Sequence, residues 1–215
     1  MKKKKIGKCV FCGKEGKVTN DHIPPRNIFP KPQDDDVKLI TVPACTVCNS
    51  ESSKLDDESF KVYIGLVAKE GNNAENKLYG SMMQTIQKNS KIKKDLIKNA
   101  FRLPSQQKIF TSVDESAIKR VLKKIVLGLY YEHFNGIIFD KVEVDTYFSE
   151  DISEDKLDEV VNHVEEIRDN GSSNSVGKLK EFYYIYAQAN DNKLATCWIL
   201  IFYNCFSVIA QTIPH

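Results

Sequence analysis

The 215-residue sequence predicts an α+β fold. A small cysteine-clipped module over residues 1–60 precedes a larger α+β domain over 61–215, which has a basic helical part (61–135) and an acidic part (136–215) ending in an antiparallel sheet. Three observations predict this layout. Two C-x2-C pairs bracket a stretch rich in Pro, Lys and Asp that has little apolar surface to bury. Apolar residues then recur at helical spacing through the middle of the chain, and aromatic and β-branched residues dominate its last part. The composition, 41% hydrophobic and 28% charged, is that of a globular protein and excludes a disordered, collagen-like or coiled-coil chain.

The first module is too polar for a core of its own and needs a staple. From about Glu51 the pattern is helical: Phe60, Tyr63, Ile64 and Val67 recur at i, i+3, i+4 and i+7, and Gly71-Asn72-Asn73 is the expected end. A second helical stretch runs from about Ala74 to Ala100, with Ser90 as a possible break. Pro104 closes it, and Gln107–Thr111 suits a short strand. Asp114 is a suitable N-cap for the best-marked helix, whose stripe is Ile118, Val121, Leu122, Ile125, Val126 and Leu129. Asn135-Gly136 should end it through a glycine stop.

Beyond that point Val142, Val144, Thr146 and Phe148 alternate with charged residues, a strand period. Leu157, Val160, Val161, Val164 and Ile167 suit a helix ending at Asn170-Gly171. Phe182–Ala189 and Leu194–Tyr203 are strands joined by Asn190-Asp191-Asn192, and Val208–Thr212 continues the sheet. No internal repeat is present.

The net charge of +2 conceals a strong asymmetry. Residues 1–60 carry 11 basic and 9 acidic side chains, residues 61–135 carry 14 and 6, and residues 136–215 carry 6 and 14. The total therefore does not argue against a polyanionic partner. The basic N-terminus lacks a following apolar stretch, so no secretory signal is expected. The longest apolar run, Cys197–Tyr203, is far short of the ~20 residues a membrane helix needs, so a soluble cytoplasmic protein without membrane contact is expected. Disulfides are rare in that compartment, and the six cysteines need another role.

Four of them supply it. Cys9 and Cys12, with Cys45 and Cys48, have the spacing of two turns that each point two thiolates at one ion, the tetrahedral set zinc prefers. Such a site is closed and structural, because four thiolates leave no open position. Cys197 and Cys205 lie in aromatic strands and suit small buried hydrophobes. Between the pairs stands Asn20-Asp21-His22-Ile23-Pro24-Pro25, and Asn49 directly follows Cys48. Asp21 is a hard-cation ligand and His22 a base that titrates near neutrality. Adjacent strand residues face opposite ways, so both serve one site only where the strand ends in a turn, which Pro24-Pro25 supplies.

This combination resembles the HNH, or ββα-metal, endonuclease superfamily, in particular its four-cysteine zinc type. The resemblance rests on Cys9/Cys12, Asp21-His22 with its prolines, Cys45/Cys48 and Asn49, within about the first 60 residues. It implies that Asp21 and Asn49 hold a catalytic Mg²⁺ or Mn²⁺, that His22 activates water, and that the phosphodiester bonds of DNA are the substrate. It also implies that Leu39–Ala44 is the second hairpin strand and that the helix from Asn49 completes the unit. Phage defence, restriction or a mobile element would be its setting. The middle asparagine of the pattern is absent from Lys38-Leu39-Ile40-Thr41, and Asn27 is the nearest in the hairpin. Ser53 stands one turn after Asn49, where some members have a further ligand, and Asp56 lies on the same helix face, acting through water or facing solvent.

Arg26 and Lys54 are the expected nucleic-acid contacts near the cut, with Lys88, Lys91, Lys93, Lys94, Lys98 and Arg102, and Lys119, Arg120, Lys123 and Lys124, as wider basic clusters. No base-reading element is evident, so no sequence specificity is expected. His133 is expected to be structural, and His163 lies on a charged helix face. The competing class is a non-catalytic zinc-stabilised nucleic-acid-binding module; a protein-interaction adaptor is a third. A homodimer is a further expectation, since two nicks make a double-strand break and the tail has edge strands.

Overall fold

The computed structural model describes residues 5–29, 39–68, 73–102, 109–148, 171–177 and 181–215. Three short strands come first, β1 (Lys5–Lys8), β2 (Glu15–Ile23) and β3 (Ile40–Cys45), paired antiparallel in the order β1-β2-β3. Three helices follow: α1 (Glu51–Val67), α2 (Asn73–Lys88) and α3 (Ser90–Lys98). A two-stranded ribbon of β4 (Phe101–Arg102) and β5 (Ile109–Phe110) leads to α4 (Glu115–Phe134). Strands β6 (Val142–Phe148), β7 (Ser172–Val176), β8 (Phe182–Gln188), β9 (Thr196–Phe202) and β10 (Phe206–Pro214) form an antiparallel sheet in the order β6-β10-β9-β8-β7. The chain is thus mixed α and β, with its largest antiparallel sheet C-terminal.

Helix α4 is the axis of the molecule. Asp114 caps it by accepting from the Ser116 and Ala117 amides. The expected apolar stripe is buried, but so are Leu127, Gly128 and Tyr130, leaving no solvated face between Ile125 and Tyr130. The reason is packing on several sides: α1 and β2–β3 cover one part of the helix and the C-terminal sheet another. One apolar cluster joins Ile23 and Val42 of the small sheet, Phe60 and Ile64 of α1, Leu122 and Ile125 of α4, and Trp198, Leu200 and Phe202 of β9. Residues from both sides of position 60 share it.

Several local expectations need adjustment. Helix α1 ends at Val67, and Asn73 opens α2 rather than closing α1. The break in the second helical stretch falls at Asn89, whose side chain accepts from the Lys91 and Ile92 amides and so starts a new helix. The left-handed residue after α4 is Asn135 (φ 52°), not Gly136, asparagine being the other residue that adopts this conformation readily. Strand β7, Ser-Ser-Asn-Ser-Val, has no apolar alternation and was not expected; it is held by its pairing with β8. The helix expected over Leu157–Ile167, with His163, and residues 107–108 of the expected strand lie outside the described residues.

Gly128 sets how closely α4 approaches β2. A Cβ there would lie 2.5 Å from Ile23 Cγ1, and Ile23 is itself 1% exposed. Overpacking of this kind costs about 1–3 kcal/mol, more than the ~1 kcal/mol that alanine gains over glycine in helix propensity. Gly128→Ala is therefore expected to lower the melting temperature by a few degrees. An unchanged or raised melting temperature would show that β2 moves away at no cost.

Candidate metal and catalytic centre

The turn after β1 carries Cys9 and Cys12, and the end of β3 and the turn beyond it carry Cys45 and Cys48. Backbone bonds shape both knuckles: the Gly13 amide donates to the Cys9 carbonyl at 2.9 Å, and the Asn49 amide to the Cys45 carbonyl at 3.0 Å. Gly13 has φ +65°, a left-handed conformation that glycine takes without strain. A Val10 amide bond to the Pro43 carbonyl, 3.0 Å, ties the first knuckle to β3. The four Sγ atoms all lie within 4.8 Å of one another, and Cys12 and Cys45 are 3.7 Å apart. Tetrahedral zinc with bonds of about 2.3 Å requires sulfur separations of about 3.8 Å. The cluster could hold a metal ion such as zinc. Burial pushes the Cys9 and Cys48 thiols up, whereas at Cys45 hydrogen bonds from Cys48, Cys12 and Cys9 outweigh burial and bring it to about 7. A bound cation would supply the charge that lets all four ionise.

Beside this cluster, β2 ends at Ile23 and the chain turns through Pro24-Pro25 into a single 3₁₀ turn, Arg26–Ile28. Asp21 and His22 both line a cavity of about 270 Å³ at this point. The turn contributes Pro25, Arg26 and Asn27, α1 contributes Lys54, Asp57, Glu58 and Lys61, and α2 contributes Thr85. Strand end and helix thus face each other across a polar space. Arg26 and Lys54 are exposed at its edge, while Lys61 is buried and donates to Thr85 Oγ1 at 2.8 Å.

Asp21 is only 8% exposed. Its Oδ1 accepts from the His22 amide at 3.0 Å, and its Oδ2 forms an ion pair with Lys124 Nζ of α4 at 2.9 Å. His22 is half-buried, and burial, reinforced by the nearby Arg26 charge, holds its imidazole below the usual 6.5 against the opposing pull of Asp21. The neutral form therefore predominates at pH 7. Asp57 is pushed up to about 7, chiefly by burial; Lys124 opposes the shift, and Asp21, Asp56 and Glu58 add to it. Two buried oxygens, Asn27 Oδ1 and Asp57 Oδ1, lack a partner among the described residues, and both belong to residues lining this cavity, whereas Asp21 Oδ2 is met by the Lys124 ammonium. Oxygen donors left without N–H or O–H partners suit a hard cation such as Mg²⁺ or Mn²⁺.

The remaining expected residues are placed elsewhere. Asn49 is exposed and donates from Nδ2 to Thr19 Oγ1 at 3.1 Å; it does not line the cavity, and Ser50 is the N-cap of α1. Asp56 neither faces the cavity nor stands in open solvent, because Arg120 holds it with two bonds of 2.8 Å from Nε and Nη2. Lys119 pairs with Glu115 at 2.6 Å. Three of the four basic residues of α4 thus make intramolecular ion pairs. Lys88, Lys91, Lys93, Lys94 and Lys98 are exposed along α2 and α3, and the Arg102 side chain lies outside the described residues. His133 is structural: Nε2 meets the Tyr184 hydroxyl at 2.9 Å and Nδ1 the Tyr186 hydroxyl at 3.0 Å. Cys197 is buried, while Cys205 is half-buried and donates to the Phe202 carbonyl.

Sequence reasoning missed Asp57, Glu58 and Lys61. A pattern existed: with Lys54 they fall at i, i+3, i+4 and i+7, a polar stripe on α1 beside its apolar one. No helix among the described residues is long and apolar enough to cross a membrane. Comparison with protein-family models, curated proteins and solved structures finds no match.

Proposed function

We propose that the protein is a divalent-metal-dependent DNA endonuclease of the HNH type, its ββα unit formed by β2, β3 and α1 and stapled by zinc on Cys9, Cys12, Cys45 and Cys48. The observation that carries this reading is the opening of two adjacent strand residues, Asp21 and His22, into one polar cavity with basic side chains at its edge. Phosphodiester hydrolysis needs a base within reach of water and a cation beside the phosphate. His22, predominantly neutral at pH 7, accepts the proton of the attacking water. Arg26 and Lys54 draw the backbone phosphates toward the cavity mouth. Asp21, Asp57 and Asn27, all lining the cavity, would hold Mg²⁺ or Mn²⁺, whose charge would stabilise the phosphate and the leaving oxygen. Asn49, the ligand implied by resemblance, would have to leave Thr19 to join them.

The test is cleavage of supercoiled, linear, branched and single-stranded DNA by the zinc-loaded protein across a metal series. Nicking that requires Mg²⁺ or Mn²⁺ is the expected result, and salt-sensitive binding with no cutting under any metal would leave the zinc-stabilised binding module instead. Within the endonuclease reading, Asp57→Asn is expected to lower the cleavage rate at least about tenfold and to weaken Mn²⁺ binding. Asn49→Ala should do less. Equal losses from both variants would return Asn49 to the ion.

A further inference from the structure

Resting on the endonuclease reading, we propose that Lys124 is a tethered cation that holds the Asp21 carboxylate until a divalent ion and a phosphate replace it. Both oxygens of Asp21 are engaged: Oδ1 accepts from the His22 amide, and Oδ2 is neutralised by an ammonium. That ammonium is Lys124 Nζ, 2.9 Å from Oδ2. The ammonium also donates to Ser53 Oγ at 2.7 Å, and it sits 5.0 Å from the centre of the Phe11 ring. One side chain of α4 therefore meets β2, α1 and the first cysteine knuckle.

This pair differs from the others in its setting. Its side chains are 19% and 11% exposed, whereas those of Lys119–Glu115 are 52% and 63% exposed. An enclosed ion pair is weak evidence for stability, because desolvation offsets much of the attraction and an apolar pair of similar size often serves as well. Its location is the informative point: the carboxylate it neutralises lines the cavity with His22. A divalent ion that takes Oδ2 must either share it with an ammonium of like charge or displace the ammonium. A DNA phosphate entering the cavity offers the flexible lysine stem a second anion and so releases Oδ2. Metal and nucleic acid then favour each other, and by linkage the effect is reciprocal.

Mn²⁺ binding, read by electron paramagnetic resonance and calorimetry, tests this in a His22→Ala background where a short duplex is not cut. Adding Lys124→Met keeps the length of the stem and removes the charge. It is expected to raise Mn²⁺ affinity at least tenfold without DNA. The duplex should raise Mn²⁺ affinity by a similar factor when Lys124 is present and by little when it is methionine. Lys124→Gln, which can still hydrogen-bond to Ser53, should behave as methionine does, and it serves if the methionine variant does not fold. Unchanged or weaker Mn²⁺ binding in a folded, zinc-loaded Lys124 variant would overturn the proposal. If the wild type still cuts plasmid, that result leaves the endonuclease reading standing. Absence of both cutting and Mn²⁺ binding in the wild type would remove the reading and the inference together.

Discussion

Cys48→Ser is expected to reduce bound zinc from one ion per chain to none and to unfold the β1–β3 sheet. The sheet and its first knuckle have few apolar residues of their own: Val10, Val18, Ile23, Val42 and Ala44 are buried, while most of β1 is exposed. Structural zinc contributes an apparent ~10–16 kcal/mol to the folding of small metal modules, comparable to the whole ~5–15 kcal/mol stability of an ordinary domain. Because Val10, Ile23 and Val42 belong to the main apolar cluster, the loss should spread to α4 and α1. Zinc analysis with limited proteolysis of residues 5–45 reads the effect, and a strong chelator should reproduce it. Cys205→Ser, outside the four-cysteine cluster, is the matched control. A zinc-free Cys48→Ser protein with native melting and native protease resistance would show that the staple is dispensable.

His22→Ala should lower DNA cleavage by about 10²–10⁴-fold, the usual contribution of a positioned general base, while DNA affinity in the presence of metal stays within about twofold. The sign of the pH dependence follows from the direction of its shift. A base acts when unprotonated, so the rate climbs with pH through the imidazole pKa and then levels. Burial and Arg26 lower that pKa, so the midpoint of the acid limb should lie below the 6.5 of an ordinary imidazole. Arg26→Gln removes one of the two lowering influences and should move the acid limb to higher pH. Full cleavage by His22→Ala would assign water activation to another group, and an unmoved limb in Arg26→Gln would assign the limb to a different titration.

Much of the architecture was legible from local patterns. The α4 stripe and its Asp114 cap, the alternation of β6 and the aromatic strands β8 and β9 are repeats of period 3.6 or 2 with recognisable ends. Polar β7 could not be found that way, because its strand conformation comes from its neighbour β8 and not from its own residues. The same division runs through the candidate site. Asp21, His22, Arg26 and Lys54 were found by motif and by nearness in sequence, and they do meet at one cavity. Asp56 was singled out because helical spacing was counted from Asn49, and neither Asn49 nor Asp56 lines the cavity.

The cysteine clip, the end of β2 before Pro24-Pro25 and the segments able to form helices and strands are all set by local sequence. These depend on spacings of a few residues, which the covalent chain imposes. That Asp57 lines the cavity, that Arg120 takes Asp56 and that Lys124 lies against Asp21 depends on how distant elements pack. Those pairings join α4 to β2 and α1 across long stretches of chain. Whether a lysine is a solvated charge or a buried counter-ion depends on which elements pack against its helix. In this protein α4 is enclosed on several sides, and that enclosure turns one residue of a basic cluster toward the candidate catalytic carboxylate.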